Sequence, residues 1–157
     1  MIKNPILKNV LTALLVAVLG FILLNLTFVF DALYQGLVRA IIRPFSPEDI
    51  EMSVKWYPPL LHWSFVVVIG IISWFVFKSK ISTFWKAVYL CVPVAVVMAT
   101  IGLSLADWPI VVYALSVLFS GSFLYYFITN KKPWLYSFSV IFVSLALLLM
   151  MLTGVEI

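Results

Sequence analysis

The 25 residues from Ile6 to Phe30 read ILKNVLTALLVAVLGFILLNLTFVF. After Lys8 this run holds no charged residue, and about 20 helical residues at 1.5 Å each span the roughly 30 Å hydrocarbon core of a bilayer. Lys3 and Lys8 ahead of an apolar run are also the layout of a secretory leader. The run is too long for that, and no small-residue cleavage pattern follows it, so it is expected to be an uncleaved first transmembrane helix. The sequon Asn25-Leu26-Thr27 falls inside the span, where a glycan has no place.

Four more apolar stretches follow, at about 60–77, 85–105, 108–128 and 134–152, none with a charge in its middle. Pro58 and Pro59 precede the second, Pro109 falls in the first turn of the fourth, with Asp107 as its expected cap, and Pro133 opens the fifth. Proline fits such places because the first N–H groups of a helix lack intrahelical acceptors. Pro93 lies inside the third stretch instead, where it removes the hydrogen bond to the carbonyl of Tyr89 and favours a bend. Of the 157 residues, 65% are hydrophobic and 10% charged. A soluble domain carries about 25% charged residues, so this chain is too apolar to face water all round. The expected fold is an all-α integral membrane protein: one transmembrane domain of about five helices, with an extra amphipathic helical segment after the first.

Charge sets the expected orientation. With the N-terminus in the cytoplasm, seven basic residues and no acidic ones fall inside: Lys3, Lys8, Lys78, Lys80, Lys86, Lys131 and Lys132. The other side receives Arg39, Arg43 and Lys55 and all six acidic residues. This bias toward internal lysine places the C-terminus outside, in a cell membrane. The six tryptophans cluster at span ends, where an indole meets apolar chains on one edge and water on the other.

Residues 31–57, outside the spans, hold most of the chemistry. Asp31, Gln35, Arg39 and Arg43 recur every fourth residue, as do Leu33, Leu37 and Ile41, so residues 31–43 read as an amphipathic helix ended by Pro44. It either prolongs the first helix or lies on the outer surface. Arg39 and Arg43 share a face, and two guanidinium forks one turn apart suit a phosphate or carboxylate, with Lys55 as a third cation. The plainer alternative is an interfacial helix with snorkelling arginines. Glu48, Asp49 and Glu51 follow Ser46-Pro47 and read as the first turn of a further helix capped by Ser46. As a metal site they supply few oxygens, and no metal or other cofactor is expected.

His62, the single histidine, suits acid–base work if Glu48, Asp49 or Glu51 orients it, and serves equally as an interfacial anchor. Arg43-Pro44 and Ser120-Gly121 match fragments of a lipid-phosphatase signature, but Ser122 stands where the nucleophilic histidine belongs. No metalloprotease, P-loop or serine-elbow motif occurs. No ionisable residue stands in the middle of a span, as ion-coupled carriers require. Hydroxyls at four-residue spacing, Thr100 with Ser104 and Ser116 with Ser120, read as helix-packing positions. Cys91, alone in an apolar run, reads as a packed thiol.

The expected role is a non-enzymatic subunit, scaffold or accessory factor that contacts lipid headgroups at its outer face. Its partners would be membrane lipids and other membrane protein subunits, not nucleic acid. The alternative is an enzyme or carrier for an anionic amphiphile at that interface, using Arg39, Arg43, Glu48, Asp49 and His62.

Overall fold

A computed structural model describes residues 4–42 and 57–152. These residues form five α-helices and no strand: α1 (Pro5–Ile42), α2 (Tyr57–Lys78), α3 (Thr83–Ser104), α4 (Pro109–Thr129) and α5 (Trp134–Leu152). The first four are long and apolar enough to cross a membrane, and α5 is a shorter apolar helix.

α1 runs for 38 residues without a break. The segment from Asp31 to Ile42 is therefore its continuation and not a separate helix. No proline interrupts it, and the one glycine, Gly36, is tolerated within a helix at a cost of about 1 kcal/mol. At 1.5 Å per residue the rod is about 57 Å long, well beyond a hydrocarbon core of about 30 Å.

The centre of the bundle is α3, which packs against all four other helices. Leu90-Cys91-Val92 and Val94-Ala95-Val96 are buried in consecutive triplets. Neighbouring residues point about 100° apart around a helix, so such triplets mean that α3 is covered round most of its circumference, with Tyr89, Pro93 and Val97 on a half-buried face. Its many Ala, Val and Cys side chains are small enough to let backbones approach closely. The tightest approach is to α1 at Gly20, where a β-carbon would sit 2.7 Å from Cys91 Sγ. The surrounding helices also touch one another: α1 meets α2 and α5, and α4 meets α5.

Polar side chains bind helix to helix. Ser139 Oγ of α5 donates to the Ala87 carbonyl of α3 at 2.8 Å and lies 2.9 Å from the Leu135 carbonyl of its own helix. Ser120 of α4 and Ser144 of α5 pair at 2.7 Å, and Ser73 of α2 meets the Tyr89 hydroxyl of α3 at 3.1 Å. Thr100 and Ser116 are buried, Ser116 Oγ without a hydrogen-bond partner among the described residues, and Ser104 accepts a hydrogen bond from Trp63.

The helix ends depart from expectation in two places. Lys86 reaches back to the end of α2, its Nζ donating to the carbonyls of Phe77 at 2.8 Å and Ser79 at 2.7 Å. A cation there satisfies carbonyls that lack helical partners and faces the negative end of the helix dipole. Asp107 does not cap α4: the N-cap residue is Trp108, without a side-chain cap, and Pro109 is the first helical residue. Proline there removes one orphan N–H by its own chemistry and lessens the need for a cap. All five described tryptophans, Trp63, Trp74, Trp85, Trp108 and Trp134, are exposed on the bundle's flanks. Tyr57, at the start of α2, is buried.

Candidate functional site

Asp31 and Gln35 lie one turn apart on α1, so their side chains meet: Gln35 Nε2 donates to Asp31 Oδ2 at 2.9 Å. His62 enters from α2, its Nδ1 lying 3.3 Å from Asp31 Oδ2 and 3.3 Å from Gln35 Nε2. The two contacts of Nδ1 are alternatives. With a proton, Nδ1 donates to the carboxylate; without one, it accepts from the Gln35 amide. The side chain of Asp31 is only 14% exposed and that of His62 22%.

The surrounding contacts fix α1 against α2 at this level. Ser64 Oγ donates to the Leu61 carbonyl at 2.7 Å, which leaves it to accept from the Tyr34 hydroxyl at 3.0 Å. The Phe65 ring packs against those of Phe30 and Tyr34, with centroids 6.0 and 5.5 Å away. Trp63 Nε1 donates to Ser104 Oγ at 3.1 Å and ties α2 to the end of α3. His62 therefore sits on a braced helix.

Below the cluster lies a cavity of about 440 Å³ between α1, α2, α3 and α5. Asp31 and His62 line it, together with Asn25, Thr100 and a mainly apolar wall that includes Phe28, Ala99, Leu103 and Leu147. Its size falls within the roughly 300–1,000 Å³ of small-molecule sites. Among the described residues that line it there is one carboxylate, Asp31, and no lysine or arginine.

Asp31 was expected on a solvated polar edge, and the partners considered for His62 were Glu48, Asp49 and Glu51. The observed partners are Asp31 and Gln35. The four-residue spacing of Asp31 and Gln35 was visible in the sequence; their meeting with His62 depends on the crossing of α1 and α2. Arg39 is exposed in the last turn of α1, where a cation also suits the helix dipole. Arg43, Glu48, Asp49, Glu51 and Lys55 lie outside the described residues, as do Ser46 and Pro47.

Chemically the cluster is a carboxylate held by an amide and an imidazole. The serine nearest to His62 in sequence, Ser64, is two residues away, and helical residues at that spacing do not face each other. Its bonds to Tyr34 and Leu61 confirm that it does not complete a Ser-His-Asp relay. Among the described residues, no three His, Cys, Asp or Glu side chains gather as a metal site would require. The chain matches no protein-family model, no curated protein and no solved structure.

Proposed function

We propose that the chain is a non-enzymatic subunit, scaffold or accessory factor of a membrane, a single bundle whose five helices all cross, with the N-terminus cytoplasmic and the C-terminus outside. The observation that carries this reading is the outer part of α1. If residues 10–30 fill the hydrocarbon, about twelve further helical residues stand at or beyond the outer headgroups. Leu33, Leu37 and Ile41 are exposed there by 67%, 61% and 59%. An apolar stripe beside Arg39 suits the headgroup boundary or an adjoining subunit. The polar inventory supports the same role, because several serine and tyrosine hydroxyls link one helix to another.

Pull-down from mild detergent, followed by protein and lipid mass spectrometry, tests the proposal. Wild-type protein is expected to retain a partner subunit or headgroup lipids, and a Leu33→Ser, Leu37→Ser, Ile41→Ser variant to lose them. Equal recovery from both proteins overturns the role given to this stripe.

The second reading, a carrier or enzyme for an anionic amphiphile, draws on the cavity beside His62. The Asp31 carboxylate disfavours a negative headgroup inside that cavity, which leaves Arg39 and Arg43 as its anchoring cations.

A further inference from the structure

We propose that the cavity beneath Asp31 binds a single-chain amphiphile whose headgroup donates hydrogen bonds and carries no negative charge, an alkylammonium being the best-matched class. This site is separate from the outer stripe of α1 and does not depend on the accessory role.

A carboxylate held between helices with an unmet acceptor is costly to maintain. Asp31 is only partly satisfied. Its Oδ2 is engaged by Gln35 and His62, whereas Oδ1 is buried with no hydrogen-bond partner among the described residues. An ionised carboxylate offers about four acceptor positions, so capacity remains for a ligand's N–H or O–H. Asp31 lines the cavity, and its carboxylate is held there through Oδ2. Gln35 and His62 oppose loss of the carboxylate's position and serve as positioning residues.

The rest of the cavity selects the tail and the charge. From Asp31 to Phe21, both of which line it, the cavity follows α1 for ten residues. That is about 15 Å along the axis, the shape of an extended chain. Phe28, Ala99, Leu103 and Leu147 give the chain apolar walls. With no lysine or arginine among the described lining residues, His62 is the one other group there able to carry a positive charge, and a fatty carboxylate would meet the charge of Asp31. An ammonium instead gains a charge-assisted hydrogen bond in a low-dielectric site.

The test compares three probes with the same tail, dodecylammonium, dodecanol and dodecanoate, on the full chain in a neutral detergent, by native mass spectrometry. Diazirine-tail versions of each probe map the site by cross-linking. Dodecylammonium is expected to bind about tenfold or more tightly than dodecanoate, dodecanol to fall between them, and cross-links to fall on peptides containing Phe28, Ala99 or Leu103. Asp31→Asn is expected to erase the preference for the ammonium, and Ala99→Leu, which narrows the cavity, to weaken all three probes. The headgroup order in wild-type protein is decisive without any variant. Binding of dodecanoate equal to or tighter than dodecylammonium overturns the proposal, as do cross-links confined to the outer surface or an ammonium preference that survives Asp31→Asn.

Discussion

Gly20 of α1 faces Cys91 of α3 so closely that a β-carbon on the glycine would stand 2.7 Å from the sulfur. Cys91 is fully buried and its thiol already lies 3.9 Å from the Ala87 carbonyl, so it has little room to withdraw. Gly20→Ala is therefore expected to destabilise the bundle by about 1–3 kcal/mol through overpacking. Cys91→Ala removes the sulfur and leaves the β-carbon at 3.5 Å, an ordinary contact, so the double variant should regain most of the loss. Thermal unfolding in detergent of the two single variants and the double variant gives the coupling. Additive effects would show that the two positions do not interact.

Lys86 has a structural duty beyond its place in the charge pattern. Replacing it with methionine keeps the aliphatic stem but strands the carbonyls of Phe77 and Ser79. The expected loss is about 1–3 kcal/mol, the scale for hydrogen bonds to a charged group. If lysine serves only orientation, the other six lysines assigned to that side by the charge pattern remain and the melting temperature of Lys86→Met should not change.

The turn after α4 contains the one described non-glycine residue with a positive φ, Lys131 at 48°. The Lys132 amide donates to the Phe127 carbonyl at 2.9 Å and the Lys131 amide to Ile128 at 3.1 Å, the paired bonds of a Schellman ending. A side chain in the left-handed region costs about 1–2 kcal/mol, and glycine avoids it at some expense in unfolded-chain entropy. Lys131→Gly should stabilise by about 0.5–1 kcal/mol, and Lys131→Ala should not. A lower melting temperature for the glycine variant would contradict this reading of the turn.

Arg39 and Arg43 separate anchoring from recognition. If the pair grips an anionic headgroup through planar forks, lysine at either position should lower anionic-lipid occupancy about tenfold, because an ammonium cannot reproduce a bidentate bond. Native mass spectrometry of Arg39→Lys and Arg43→Lys reads this directly. Unchanged occupancy in both leaves these side chains as interfacial anchors.

Orientation has its own measurement. Five crossings with the N-terminus inside require a C-terminal reporter to be outside, because an odd number of spans separates the ends. Labelling of that reporter from the cytoplasmic side would remove either one span or the assigned direction.

The helical stretches were legible because length and apolarity decide them, and proline marks their starts. The central place of α3 was not. Lipid tails are as apolar as leucine, so hydrophobicity cannot tell a side chain facing lipid from one facing another helix. The signal that remained was size, in the run of small residues around Ala87, Cys91 and Ala95. The continuity of α1 was open because a polar four-residue rhythm suits a surface helix and a prolonged one equally. Asp31 was placed on the solvated side by its neighbours Arg39 and Arg43, yet its carboxylate turns inward to His62, 31 residues away. Local periodicity fixes which residues share a face but does not identify the partner helix that comes to cover it.

An unbroken α1 is also a long lever arm. Arg39 lies 34 residues beyond Pro5, about 51 Å along the axis, so each degree of pivot about the inner end carries it sideways by roughly 1 Å. Helices longer than the local hydrocarbon accommodate the difference by tilting. If α1 spans a bilayer, thinning of that bilayer is expected to increase its tilt and swing the tip near Arg39 sideways.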